Sequence, residues 1–150
     1  MGEMTMALNA LDLLERAGWR HDREIDADPV VQRLRASGYT AVPPLRDFLT
    51  QFFGLVITSE DGSKSITFDL DSVEHLTDAE FCNEYGDAIG RPVTPVGVHS
   101  DMIIMIDAAG EFWAALDLDY GYMGKNIEQA VQWILIDPAT MHMFDRRLPD

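Results

Sequence analysis

Through the first third of the chain, apolar residues recur at helical spacing. Ala7, Ala10, Leu11, Leu14 and Ala17 predict a helix over 5–17, capped by Thr5 and ended by Gly18. Asp28-Pro29 combines a capping residue with proline at the first helical position. Val30, Val31 and Leu34 follow it as a stripe, giving a second helix over 29–37. Pro43-Pro44 opens a third, over 44–53, with Leu45, Phe48, Leu49, Phe52 and Phe53 on one face and Gly54 at the stop.

The period then shortens to two. Residues 55–59 and 65–70 read as strands joined across Asp61-Gly62, a hairpin turn signal. Ile66, Phe68 and Leu70 would face inward, and Thr67, Asp69 and Asp71 outward. Thr77-Asp78-Ala79-Glu80 is a capping box and predicts a helix over 78–89 carrying Phe81, Tyr85, Ala88 and Ile89 on one face. Residues 93–99 are extended but contain Pro95, which suits an edge strand or an irregular segment. The unbroken apolar run 102–106 predicts a central strand buried on both faces. A turn at 107–110 leads into another strand over 111–118. Asn126 caps a last helix over 127–136, stopped by Asp137-Pro138. The expected architecture is a single α+β domain over 1–150, with a mostly antiparallel sheet of about five to six strands and helices packed on one side.

Charge changes this picture more than bulk composition does. With 47% hydrophobic residues the chain has enough apolar material for a core, yet 26 acids against 11 bases leave it at −15. The excess is concentrated: residues 60–119 hold fourteen acids and only two bases, Lys64 and Arg91, a local −12. Such a balance argues against gripping a nucleic-acid backbone and for a basic protein partner. No apolar run approaches a membrane span, and residues 1–9 lack a secretory signal pattern, so a cytoplasmic location is expected. A lone cysteine, Cys82, rules out an internal disulfide framework and any multi-thiolate zinc site.

Candidate chemistry is sparse. The pairs Asp69/Asp71 and Asp117/Asp119, if on strands, would place carboxylates on one face about 6.6 Å apart. That arrangement fits a solvated strand face, a surface for a cationic partner or, less well, an acid–base pair. His21, His75, His99 and His142 show no metal-ligand spacing, and His99-Ser100-Asp101 cannot assemble a triad because adjacent side chains diverge. No phosphate loop, dinucleotide fingerprint or nucleophile elbow is present, so neither metal nor cofactor is expected. Cys82 reads as a core thiol, and Trp19 and Trp113 as core aromatics. Tyr120 and Tyr122, flanking Gly121 beside acidic residues, have the composition of an interface.

In order along the chain, Gly18-Trp19 with Arg23, Gly38-Tyr39, Phe48-Leu49 with Phe52, Gly54-Leu55, Pro95-Val96-Gly97, Ile106-Asp107 with Gly110, and Gly124 resemble the SUKH superfamily. The likeness is to its branch of bacterial toxin-immunity proteins opening with a Gly-Trp…Arg element, and it runs from about Leu11 to Ile136. His21-Asp22 replaces the Pro-Gly turn expected between Trp19 and Arg23. The resemblance implies an α+β fold, no enzymatic activity, a cytoplasmic setting and neutralisation of a toxin, often a nuclease or deaminase, by binding it. Combined with the charge, it points to a basic toxin held by Asp69, Asp71, Asp117 and Asp119 on strands and Glu80, Glu84 and Asp87 on a helix, with Tyr120 and Tyr122 as anchors. The alternatives are a regulatory or scaffold domain binding a host protein and, behind it, a small hydrolase using paired carboxylates.

Overall fold

The computed structural model describes residues 9–137 and 145–148. Three helices lead, α1 (Ala10–Arg16), α2 (Asp28–Ala36) and α3 (Leu45–Phe52). The expected Thr5 cap lies outside the described residues; α1 is instead opened by a reciprocal pair, in which Asn9 Oδ1 accepts from Asp12 N at 2.9 Å and Asp12 from Asn9 N at 3.0 Å. The chain continues through β1 (Val56–Thr58), β2 (Ser65–Thr67), α4 (Leu70–Leu76) and α5 (Ala79–Ile89). Strands β3 (Val93–His99), β4 (Met102–Asp107), β5 (Phe112–Leu116) and β6 (Asp119–Gly124) follow, then α6 (Ile127–Val131), a π-helical turn (Gln132–Ile136) and the short β7 (Arg146–Arg147).

The strands form one antiparallel sheet whose spatial order is the chain order, β1 to β7. Every residue of β4 is buried, and it lies at the middle of the sheet as its apolar run predicts. Seven strands, rather than five or six, are present among the described residues. Strand β3 is an interior strand, but only Thr67↔Val98 joins it to β2, so Pro95 occupies a stretch with no ladder partner on that side. The register slips between Pro95 and Gly97. Glycine is required there: a Cβ at Gly97 would stand 2.6 Å from the Phe68 ring and 2.8 Å from the Thr67 carbonyl oxygen.

Helices cover both faces of the sheet, not one. Phe48 of α3 meets Phe112 at 5.4 Å between ring centroids. Trp113, the next residue, points to the opposite face. There it meets Tyr120, and Tyr120 meets Tyr85 of α5 at 5.8 Å. The reason is the composition of β4: a strand apolar on both sides needs two covers.

Two further corrections concern the acidic segment. The second strand ends at Thr67, and residues expected to extend it form α4, with Leu70 and Val73 buried. The next helix is capped by Asp78, accepting from Phe81 N at 2.9 Å, one residue beyond the expected Thr77 cap.

The Gly-Trp…Arg element acts as a clamp. Trp19 stacks on Phe52 at 5.9 Å, and Arg23 donates to the carbonyls of Gln51 (2.5 Å) and Phe53 (2.8 Å). These are carbonyls at the C-terminal end of α3, which the helix itself leaves without partners.

Candidate functional site

The acidic stretch 60–119 divides, once folded, into carboxylates already satisfied and carboxylates left open. Asp107 is the most deeply satisfied. It ends β4 with its side chain fully buried. Oδ1 accepts from Ala109 N (2.8 Å) and Glu111 N (3.0 Å), closing the β4–β5 turn. Oδ2 accepts from Trp113 Nε1 (3.0 Å) and Arg91 Nη1 (2.9 Å). Burial alone would favour the neutral acid, but these four donors outweigh it and hold the carboxyl below its ordinary range. Arg91 also reaches Glu111 at 3.2 Å, and its guanidinium is held more firmly charged by both carboxylates. Tyr122 completes the group by donating its hydroxyl to Glu111. Desolvation, helped by that bond, pushes the Tyr122 phenol up to about 12.

Other residues singled out from the sequence serve similar ends. Asp69 is the N-cap of α4, accepting from Ser72 N at 2.7 Å. Asp71, in the first turn of α4, shares Arg33 with Glu74 at 2.7 and 2.8 Å. Asp119 pairs with Arg147 at 2.8 Å. Neither Asp-x-Asp pair therefore presents two carboxylates along one strand. The first straddles a helix start, and in the second Asp117 sits in the β5–β6 turn with φ 53°. Tyr120 is buried between Tyr85 and Trp113, so it supports the sheet instead of projecting from it. Tyr122 is half-buried, edge-on to Trp113 at 5.3 Å. Cys82 is buried as expected, and burial pushes its thiol up to about 12.

The open carboxylates cluster around α5. Glu80, Glu84 and Asp87 are exposed at i, i+4 and i+7 on that helix, and none forms an ion pair among the described residues. Asp117 joins them across the sheet end, because Tyr85 of α5 donates its hydroxyl to the Asp117 carbonyl. Asp101, in the β3–β4 turn, is exposed and equally unpaired. Sequence reasoning missed Asp101 because it looked like the end of a spurious triad. It also missed the partners Arg33 and Arg147, which lie 38 and 28 residues from the acids they neutralise. One local signal was present for Asp69: Leu70, Val73 and Leu76 behind it have helical spacing.

Among the described residues no group of three or more His, Cys, Asp or Glu is arranged to hold a metal ion, and no helix is long and apolar enough to cross a membrane. The arrangement offers a surface of fixed negative charge beside a rigid aromatic and apolar support.

No curated protein and no solved structure matches the chain significantly. The family model for the SUKH-3 immunity protein does match, over residues 6–137. That span takes in the Trp19–Arg23 clamp, the Gly97 bulge, the Asp107 turn and the acidic α5 face. The chain belongs to the SUKH-3 immunity protein family.

Proposed function

We propose that this protein neutralises a basic toxin, a nuclease or deaminase domain, by binding over it in the cytoplasm of the cell that carries both. The observation that supports this most directly is the set of exposed carboxylates without cationic partners, Glu80, Glu84, Asp87, Asp101 and Asp117, gathered near α5. Like charges held together cost stability by mutual repulsion, and a cationic partner relieves that cost while being drawn in at a raised rate. Binding without catalysis is the better reading, because the carboxylates expected to form acid–base pairs are used as a helix cap and in ion pairs.

The test is co-expression with the product of the adjacent toxin-like gene in a sensitive bacterium. Survival that depends on this protein, together with a stable complex on size-exclusion chromatography, is the expected result. Continued killing, or protection without a complex, overturns it.

A further inference from the structure

The β3–β4 and β5–β6 turns lie at the same end of the sheet, since Ile103 pairs with Ala115 and Leu116 with Asp119. Between these turns, the end of α4 and the first turns of α5 is an open cleft of about 260 Å³. Leu76, Phe81 and Ile103 give it apolar walls, and Leu116 lines it as one of the few large apolar side chains left exposed, at 38%. Asp101 and Asp117 also line it. Both are exposed, neither forms an ion pair among the described residues, and no lysine or arginine lines the cleft. The volume falls below the roughly 300–1,000 Å³ usual for small-molecule sites and suits an inserted side chain.

An apolar wall ending in two unneutralised carboxylates complements one kind of side chain, a methylene stem carrying a cationic head. Arginine fits better than lysine, because its planar fork of five N–H donors can serve two carboxylates at once. The surface alongside already accepts guanidinium groups from this chain. Arg147 pairs with Asp119, two residues beyond Asp117. The Arg146 guanidinium stands 5.2 Å from the Trp113 ring centre, and Trp113 meets Tyr120, the neighbour of the cleft-lining Tyr85.

We propose that the cleft receives an arginine side chain of the basic partner protein, with its stem against Leu76, Phe81 and Ile103 and its guanidinium between Asp101 and Asp117. This rests on the reading of the protein as a binder of a basic toxin.

The experiment is an NMR titration of the full chain with N-acetyl-arginine amide, using the citrulline analogue, which is the same shape without the charge, as control. Shifts confined to the amides around Leu76, Phe81, Ile103, Leu116 and Asp117, absent with citrulline, are expected at millimolar concentration. Asp101→Asn with Asp117→Asn should weaken them about tenfold or more, the loss of one charged contact. Asparagine tolerates the positive φ at position 117, and Asp101→Asn alone, expected to give a partial loss, avoids that position. Glu80→Gln should leave the response unchanged. Shifts spread evenly over all exposed acids, equal shifts with citrulline, or none up to about 50 mM, far above any useful affinity, overturn the proposal. A protein that shows the localised response but fails to protect cells removes only the immunity reading. One that protects without it removes only the cleft.

Discussion

Asp107 and Asp117 are the same residue type, ten positions apart at opposite ends of β5, and they do opposite things. Asp107 is buried with four donors around it. Asp117 is exposed in a left-handed turn, without an ion pair among the described residues. The difference shows that the acidic excess is not one feature. Part of it is structural charge, neutralised inside the molecule by Arg33, Arg91 and Arg147, and part is charge kept available on the surface. Formal net charge cannot separate the two; only the donors around each carboxylate can.

The comparison breaks hardest at Asp107. Asp107→Ala leaves the Trp113 indole N–H and two turn amides buried without acceptors, a loss of about 3–5 kcal/mol at one to three per group. The midpoint of thermal unfolding should fall by roughly 10 °C. The sign with pH follows from the depressed carboxyl: its contribution is complete above the unfolded value near 3.9 and disappears as pH falls through the lower folded value. Urea denaturation at neutral and strongly acidic pH should therefore show the gap between wild type and variant closing on the acid side. Asp117→Asn, by contrast, should leave the urea midpoint where it was.

Tyr122→Phe sharpens the same boundary from its edge. Removing the donor to Glu111 should cost about 1 kcal/mol at neutral pH. The phenol is pushed up to about 12 in the folded protein, against about 10 when unfolded. Its contribution is thus complete below pH 10 and fades as pH rises through 12, so the two proteins should converge in alkaline urea titrations. Asp69→Ala, which removes the N-cap of α4, should cost about 1 kcal/mol, without that alkaline convergence.

Much of the fold was legible because its signals are local. Helical spacing and stop signals placed α2, α3 and α5 within one or two residues, and the apolar run 102–106 identified the central strand. Helix α4 escaped because its seven residues span barely two turns, and Leu70 also continues the strand alternation of Ile66 and Phe68. The covering of both sheet faces was not legible, since it depends on Tyr85 meeting Tyr120 across 35 positions of chain. For the candidate site, Glu80, Glu84, Asp87 and Asp117 stand exposed as expected. Asp69, Asp71 and Asp119 do not stand open, because their partners come from a following backbone amide or from distant arginines. Tyr120 looked like an anchor from its neighbours alone; burial by two other aromatics from α5 and β5 is a tertiary fact.

The smallest effect on stability should come with the clearest effect on binding. Glu80→Gln, Glu84→Gln and Asp87→Asn together remove three charges from the exposed face of α5 and no ion pair among the described residues. Folding stability should change by less than about 0.5 kcal/mol, as for surface substitutions away from special features. Glu80 lies in the first turn of its helix, where negative charge helps slightly, and relief of repulsion among the three offsets that loss. Association with the partner toxin should slow by about tenfold at low salt, while dissociation changes little, because exposed charges steer the encounter more than they hold the complex. The deficit should shrink as salt rises and the Debye length falls from about 30 Å at 0.01 M to about 8 Å at physiological strength. Stopped-flow or surface-based kinetics across that range decide it. An association rate unchanged at low salt would mean that these carboxylates, although open, face solvent in the complex, and that the available charge lies at Asp101 and Asp117 alone.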